Sequence, residues 1–234
     1  MNVLYIHGMG GGGDSRIPSI LAEHIDSYLD AMAVHMAGAD SVSRPDIHIV
    51  VRTYSFDPDI AWHQISSWVE ELSPVLIVGE SLGSLNAIRI KGIPHILVSP
   101  SLNAPLYLGY LAPLTLVPGV TWLLDRIYRP REGDRQSLHF IFRTMCKYIG
   151  LRKAALENAP YHGGKDYFHA FFGSHDHYRK SGIVSIRTWR RYFGGKDTYT
   201  VYDGTHFMEE EFVLSLLLPE IVSLCLARNA DASV

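Results

Sequence analysis

Short apolar runs recur along the chain, and they limit the possible fold more than any other feature of the sequence. Several of these runs, such as Val75-Leu76-Ile77-Val78, are nearly continuous aliphatic or aromatic residues rather than alternating apolar and polar ones. Strands of this composition are covered on both faces, as in a parallel sheet that lies between helices. The predicted strands are residues 3–6, 47–52, 75–78, 95–99, 167–172 and 197–202.

Helix-like stretches separate these strands. Their alternation predicts an α/β fold, with a mostly parallel sheet of about six strands and helices on both faces. A length of 234 residues suits a single domain, 1–234, with a substantial core. The predicted helices are residues 17–37, 59–72, 82–91, 184–193 and 208–227.

One interval, residues 101–165, interrupts this alternation. It contains no clear strand, and prolines at 113, 118, 130 and 160 divide it. We expect loop or short helix over 102–116 and helices over 122–128 and 136–157. The interval is too long for an ordinary connection in a compact domain. We therefore expect a helical cap inserted above the sheet, lining a substrate pocket. The alternative is a pair of packing helices with no part in binding.

Composition narrows the possible partners. The formal net charge of −3 offers no electrostatic reason to expect nucleic acid. Cys146 and Cys225 lack metal-type spacing, and no signal-like segment precedes the first predicted strand. We therefore expect a reduced, cytoplasmic protein. No apolar stretch approaches the length of a membrane span.

The most informative motif is Gly79-Glu80-Ser81-Leu82-Gly83, which follows the predicted strand 75–78 and precedes helix-like residues 84–88. Gly-x-Ser-x-Gly between a strand and a helix is typical of a nucleophile elbow. The sharp turn strains the serine backbone and presents Ser81 Oγ above the sheet, beside the free N–H groups of a helix N-terminus. The alternative is an ordinary strand–helix turn.

A serine nucleophile needs a base, and the base needs a partner that holds its tautomer. Asp176 follows the strand 167–172, and His206 follows the strand 197–202 after an Asp-Gly turn. Because catalytic groups of open parallel sheets gather at the carboxyl ends of strands, these side chains are expected to meet there. We predict Ser81 as nucleophile, His206 as general base and Asp176 as the acid.

Other acids and histidines fit less well. Asp203 precedes a glycine and is expected to make a turn hydrogen bond, whereas Asp166 lies before its strand, at the wrong edge of the sheet. His175 and His177 flank Asp176, but adjacent His-Asp-His lacks the spacing of known zinc motifs. We therefore predict no metal site.

A tetrahedral intermediate also needs two N–H donors. We assign them to Leu82, directly after the nucleophile, and to Met9 in the glycine-rich loop after the first strand, with Gly10 as the alternative. The predicted substrate contacts are Gly8, Gly10, Arg16, Glu80 and His177.

The same loop also fits the dinucleotide pattern Gly8-x-Gly10-x-x-Gly13. A loop this rich in glycine matches that pattern almost automatically. No acidic residue ends the second strand, where a ribose partner is needed. We therefore do not expect this loop to bind a dinucleotide cofactor.

With His7-Gly8-Met9, Gly79–Gly83, Asp176 and His206 in this order, the chain resembles the α/β-hydrolase superfamily, and most closely its compact bacterial serine hydrolases. The resemblance implies an acyl-enzyme mechanism on esters, thioesters or amides without a cofactor. It also implies that the usual first two antiparallel strands are missing, which leaves the strand order 2-1-3-4-5-6.

Two functional hypotheses follow. The first is a serine hydrolase that cleaves a carboxylic ester or thioester of a small acyl substrate. The second is a non-catalytic small-ligand-binding or regulatory protein on the same scaffold, since a fold does not guarantee a function.

Overall fold

A six-stranded parallel sheet forms the centre of the computed structural model, which describes residues 1–36, 45–130 and 132–231. The strands are β1 (Asn2–Ile6), β2 (His48–Val51), β3 (Leu76–Glu80), β4 (His95–Val98), β5 (Phe168–Gly173) and β6 (Tyr199–Tyr202). Their order across the sheet is β2-β1-β3-β4-β5-β6, and every neighbouring pair is parallel. The predicted sheet and its strand order are therefore confirmed.

Helices connect the strands and cover both faces of the sheet. The described part of the chain contains no helix with both the length and the hydrophobicity needed to cross a membrane. The helices are α1 (Arg16–Met36), α2 (Pro58–Leu72), α3 (Ser84–Arg89), α4 (Ala104–Leu111), α5 (Val120–Ile127), α6 (Phe142–Glu157), α7 (Tyr178–Ser181), α8 (Ile186–Phe193), α9 (Glu210–Phe212) and α10 (Leu218–Asp231).

Two hydrophobic cores explain why the strands are almost continuously apolar. Leu4 and Ile6 of β1 pack into one core with α2, α3, α6 and α8. Val3 and Tyr5 point the other way, into a second core with α1 and α10. Successive side chains of a strand alternate between the two faces, so both faces must be apolar when helices cover both.

Besides shifts of one or two residues at other boundaries, four predicted elements contain a turn or loop segment. The 197–202 strand starts only at Tyr199, because Lys196–Thr198 forms a 3₁₀ turn. The 82–91 helix is divided into a 3₁₀ turn, Ser81–Gly83, and α3. A π turn at Val213–Leu217 joins α9 to α10 within the predicted 208–227 helix. Residue 37, the predicted end of α1, lies outside the described residues.

The fourth difference concerns the predicted helix 136–157, which begins only at Phe142. Gln136 is buried and donates from its backbone N–H to the carbonyl of Gly11 at 2.6 Å, and from its side chain to the carbonyl of Tyr54 at 3.1 Å. Because these bonds hold Gln136 against the loop after β1, the helix starts later than the sequence pattern suggests.

The interval 101–165 contains two different kinds of helix. Met145, Tyr148 and Leu151 of α6 are buried in the same core as α2 and α3. In contrast, α4 buries only Pro105, and α5 buries none of its eight residues, all of which the structure describes. The α6 part of this interval therefore belongs to the layer that covers the sheet, whereas α4 and α5 lie near the surface.

Candidate active site

The motif around Ser81 forms a tight turn at the carboxyl end of β3. Ser81 has a φ of 49°, in the left-handed region that non-glycine residues seldom occupy. A Cβ on Gly79 would lie 2.7 Å from Ala87 Cβ, and one on Gly83 would lie 2.1 Å from the carbonyl oxygen of His7. Both positions therefore require glycine, and the strained turn presents Ser81 Oγ beyond the edge of the sheet.

The three predicted catalytic side chains lie within hydrogen-bond distance of one another. His206 Nε2 is 2.9 Å from Ser81 Oγ, and His206 Nδ1 is 2.7 Å from Asp176 Oδ2. Asp176 and His206 are both buried. The backbone N–H of Tyr178 donates to the other oxygen, Asp176 Oδ1, at 2.8 Å. Asp176 therefore holds the Nδ1–H tautomer of His206, which leaves Nε2 free to accept the Ser81 proton.

The competing acids are engaged elsewhere. Asp203 accepts from His175 Nε2 at 2.8 Å and from Ser174 Oγ at 3.0 Å, on the exposed side of the turn. Asp166 accepts from the Gly92 N–H at 2.9 Å, at the opposite edge of the sheet from Ser81. Within residues 1–36, 45–130 and 132–231, no three His, Cys, Asp or Glu side chains form a group that could hold a metal ion.

The glycine-rich loop after β1 lies directly beside the nucleophile. A Cβ on Gly8 would come within 3.1 Å of Ser81 Cβ, so only a glycine allows this close approach without displacing a neighbour. Met9 and Leu82 both line the cavity in front of Ser81. Because the N–H of Gly10 donates to Gln136 Oε1 at 3.1 Å, it is already engaged. This arrangement favours Met9 over Gly10 as the second oxyanion donor.

His7 supports this loop from behind. Its Nδ1–H donates to the carbonyl of Gly8 at 2.7 Å, and its ring stacks on Tyr54 with the centroids 4.2 Å apart. The Tyr54 hydroxyl donates to the carbonyl of His7 at 2.5 Å. Burial lowers the pKa of His7 to about 4. The ring is therefore neutral at physiological pH and holds the loop through hydrogen bonds.

The predicted substrate contacts lie in different environments. Glu80 lines the cavity and accepts from the Tyr5 hydroxyl at 2.9 Å, and burial raises the pKa of its carboxyl group. Arg16 also lines the cavity, but its guanidinium donates to the carbonyls of Phe207 and Met208, the latter at 2.6 Å. His177 is exposed, outside the cavity lining, with its ring 4.0 Å from that of Tyr178.

A cavity of about 440 Å³ opens in front of Ser81. Gly8, Met9 and Gly10 line it together with Ser81 and His206. The interval 101–165 supplies a large part of the remaining lining. Its apolar and aromatic lining residues are Ala104, Tyr107, Leu108, Leu111 and Tyr128.

Sequence reasoning missed one polar residue at the centre of the site. Ser101 Oγ lies 3.1 Å from Ser81 Oγ, and the Ser101 N–H donates to the carbonyl of Ser81 at 3.0 Å. Ser101 follows the carboxyl end of β4, the strand next to the elbow. That position was the available signal, because side chains just after neighbouring parallel strands meet at one edge.

Comparison with solved structures identifies the fold. The chain is similar to a monoacylglycerol lipase from Paleococcus ferrophilus, with a TM-score of 0.54, 18% identity, and coverage of 95% of this chain and 94% of that one. The chain therefore has the α/β-hydrolase fold, as its sequence motifs predict.

Two further structures match with lower scores. One comes from work on carboxylesterases of Nitrososphaera gargenis (TM-score 0.44, 13% identity, 96% and 90% coverage). The other is the bottromycin epimerase BotH in complex with bottromycin A2 (TM-score 0.46, 12% identity, 95% and 90% coverage). No family model matches the sequence, and no curated protein matches it at the significance threshold applied.

Proposed function

We propose that this chain is a serine hydrolase that cleaves a carboxylic ester or thioester through an acyl-enzyme. The observation that carries the proposal is the hydrogen-bonded series Ser81–His206–Asp176, with contacts of 2.9 and 2.7 Å, at the wall of an open cavity. A left-handed serine between two obligatory glycines supports it, because strain of this kind persists at functional sites. The α/β-hydrolase fold shared with a lipase is in keeping with this class.

In the first half-reaction Ser81 Oγ attacks the carbonyl carbon, and its proton passes to His206 Nε2. The carbonyl π electrons move to oxygen, where the N–H groups of Leu82 and Met9 stabilise the anion. The intermediate then collapses. The bond to the alkoxide or thiolate breaks, and that group leaves with the proton from His206 Nε2.

The second half-reaction regenerates the enzyme. Water attacks the acyl carbon on Ser81 and gives a proton to His206, which returns it to Ser81 Oγ as the carboxylic acid departs. Asp176 accepts the Nδ1–H of His206 throughout and stabilises the imidazolium form. Every proton and electron pair is accounted for by substrate, water and these side chains.

The substrate contacts are part of the proposal. Gly8 and Gly10 allow a substrate to approach the nucleophile closely, and the Glu80 carboxyl group presents a polar contact within the cavity. Arg16 and His177 remain candidates for polar groups of the substrate, Arg16 within the cavity and His177 beyond it. Leu108, Leu111 and Ile183 offer an apolar wall for the acyl group. We propose that the α4–α5 part of residues 101–165 serves as the cap of this cavity.

The cytoplasm is the compartment we propose for this reaction. Cys146 is exposed and Cys225 is buried, and both are free thiols. Free thiols suit a reducing compartment.

Covalent labelling with a fluorophosphonate probe tests the proposal. We expect the wild-type protein to be labelled and the Ser81→Ala variant to remain unlabelled. Ser185→Ala serves as the matched control, because Ser185 caps α8 and its side chain accepts from the Thr188 N–H, so it takes no part in the site. A panel of esters and thioesters of increasing acyl length then defines the substrate. A folded wild-type protein that neither labels nor hydrolyses any member would overturn the proposal.

A further inference from the structure

The segment that carries α4 and α5 exposes an unusual amount of apolar surface. More than half of the large apolar side chains exposed in the described parts of the chain lie between residues 107 and 128. Tyr110 is 82% exposed, Leu116 66%, Trp122 64% and Ile127 63%. Exposed apolar side chains concentrated on one segment in this way are typical of interaction sites in soluble proteins. We define the apolar cluster as Tyr110, Leu116, Val117, Trp122, Leu123 and Ile127.

The packing of α5 shows that much of this surface has no partner among the residues that the structure describes. A surface helix normally turns its apolar stripe toward a core. The eight described residues of α5 include Trp122, Leu123 and Ile127, yet none of the eight is buried. Gly119, with a φ of 86°, starts this short helix directly after Pro118. Leu124 of α5 packs against the core, whereas Trp122, Leu123 and Ile127 are directed outward.

The charged groups beside the cluster are mainly basic. Arg126 and Arg129 are exposed, and the Arg126 guanidinium lies 5.5 Å from the ring centroid of Trp122. The neighbouring acid, Asp125, is occupied by His139 Nδ1 at 2.5 Å and by the Phe140 N–H at 2.9 Å.

Next to these groups is a shallow cavity of about 480 Å³, lined in part by Arg126, Arg129 and His139. Apolar and aromatic side chains beside exposed arginines match the boundary between acyl chains and anionic headgroups. This charge pattern therefore favours an anionic lipid surface as the occupant.

The apolar cluster is also continuous with the catalytic cavity. Tyr107, Leu111 and Tyr128 are exposed on the segment and at the same time line the cavity in front of Ser81. A second copy of the chain or a rigid partner protein seated on this surface would cover the cavity. A lipid surface would instead supply acyl chains at its entrance.

We propose that residues 107–129 dock on an anionic lipid surface, with the apolar cluster entering the acyl boundary and Arg126 and Arg129 contacting headgroups. The substrates are then amphiphiles whose acyl chains pass from that surface into the cavity. This second statement rests on the proposed hydrolase function, whereas the docking itself does not.

Vesicle co-sedimentation of the full-length Ser81→Ala protein tests docking without any turnover. We expect binding to phosphatidylcholine vesicles that contain phosphatidylglycerol, with a blue shift in Trp122 fluorescence. Trp122→Ser combined with Ile127→Ser should weaken partition about tenfold or more, because two large apolar contacts are removed. Ile60→Ser combined with Tyr161→Ser is the matched control, since these exposed side chains lie outside the cluster, and it should bind normally.

Substitution of the two arginines, Arg126 and Arg129, is the second part of the test. Arg126→Gln and Arg129→Gln should each weaken binding to anionic vesicles about fivefold and reduce its salt dependence. Failure of the wild-type protein to bind anionic vesicles would overturn the docking proposal, as would unchanged binding by the variant with both Trp122→Ser and Ile127→Ser. A stable dimer in solution that this variant abolishes would also overturn it. A wild-type protein that binds vesicles but is not labelled by the fluorophosphonate probe would instead refute only the hydrolase function.

Discussion

Ser101 contacts the proposed nucleophile, Ser81, directly through its side chain. Ser81 has one hydroxyl proton, and a productive site gives that proton to His206 Nε2. Ser101 Oγ, 3.1 Å from Ser81 Oγ, must then be the donor of the contact between the two serines. A donor at this position stabilises negative charge on Oγ as the nucleophile is released from the intermediate.

We expect Ser101→Ala to lower kcat about three- to tenfold, the usual net contribution of one hydrogen bond, with little change in KM. Ser101→Thr, which keeps the hydroxyl, should retain most of the activity. Steady-state hydrolysis of a soluble short-chain ester measures both constants. Ser185→Ala should lower stability but leave kcat unchanged, since it removes only the cap of α8. An unaltered kcat in Ser101→Ala would show that the serine contact has no catalytic role.

At the scale of elements, hydrogen bonds join the segments that carry the proposed catalytic groups to neighbouring parts of the fold. Arg16, the first residue of α1, donates to the backbone carbonyls of Phe207 and Met208, which directly follow His206. Met208 has a φ of 24°, so the turn that places the histidine contains a backbone conformation that a side chain disfavours. Arg16 therefore acts as a positioning residue that holds this turn against the start of α1.

Replacement of Arg16 separates positioning from substrate binding. We expect Arg16→Ala to lower kcat about 10- to 100-fold with little change in KM, because hydrogen bonds from a charged group are lost. Arg16→Lys should restore part of the loss. Arg52→Gln, which removes an exposed pair with Glu71, is the matched control and should behave as wild type. A rise in KM with unchanged kcat would contradict the positioning role and favour the predicted substrate contact.

Residues from the interval 101–165 hold the glycine-rich loop after β1 in the same manner. Gln136 bonds Gly10, Gly11 and the carbonyl of Tyr54. Asp134 accepts from the Thr53 hydroxyl at 2.6 Å, and Thr53 in turn accepts from the Gly13 N–H. The interval 101–165 therefore contributes to the rigidity of the loop as well as to the cavity wall.

At the scale of the whole molecule, two buried histidines make the stability of the folded state depend on pH. His7 supports the glycine-rich loop after β1. His95, at the start of β4, donates to the carbonyl of Ala87 at 2.9 Å and stacks on Phe168. Burial lowers the pKa of each to about 4. Both are neutral in the folded state, whereas the unfolded chain binds protons near pH 6.5. The stability that they contribute is present above pH 6.5 and is lost as pH falls toward 4.

We therefore expect the free energy of unfolding to fall by roughly 3 kcal/mol per histidine between pH 6.5 and 4. His95→Gln keeps a donor for Ala87 but cannot titrate, so its stability should depend less on pH in this window. Denaturant unfolding at a series of pH values measures the slope. His48→Gln, at an exposed histidine, is the control. Equal slopes for wild type and His95→Gln would contradict this account.

The sequence predicted the sheet well because local composition and tertiary environment agree there. When helices cover both faces of a strand, all of its residues must be apolar. The sequence shows this directly in the four consecutive residues of β1, Val3, Leu4, Tyr5 and Ile6. The elbow was equally visible, since Gly79 and Gly83 are required by contacts that follow from the turn itself. The start of α6 was misplaced because Gln136 bonds a loop more than a hundred residues away.

The sequence alone therefore determined the α/β fold and the identities of three candidate catalytic residues, each read from a motif next to a strand end. The strand order followed from the resemblance of those motifs to a known superfamily. Only the tertiary structure decided which other groups contact the site. Ser101 contacts Ser81, Arg16 bonds the turn after His206, and Gln136 bonds the glycine-rich loop after β1. The physical reason is the separation along the chain of the residues that interact. Strand composition and turn strain act between neighbours in the chain, whereas these contacts join side chains that only the folded sheet brings together.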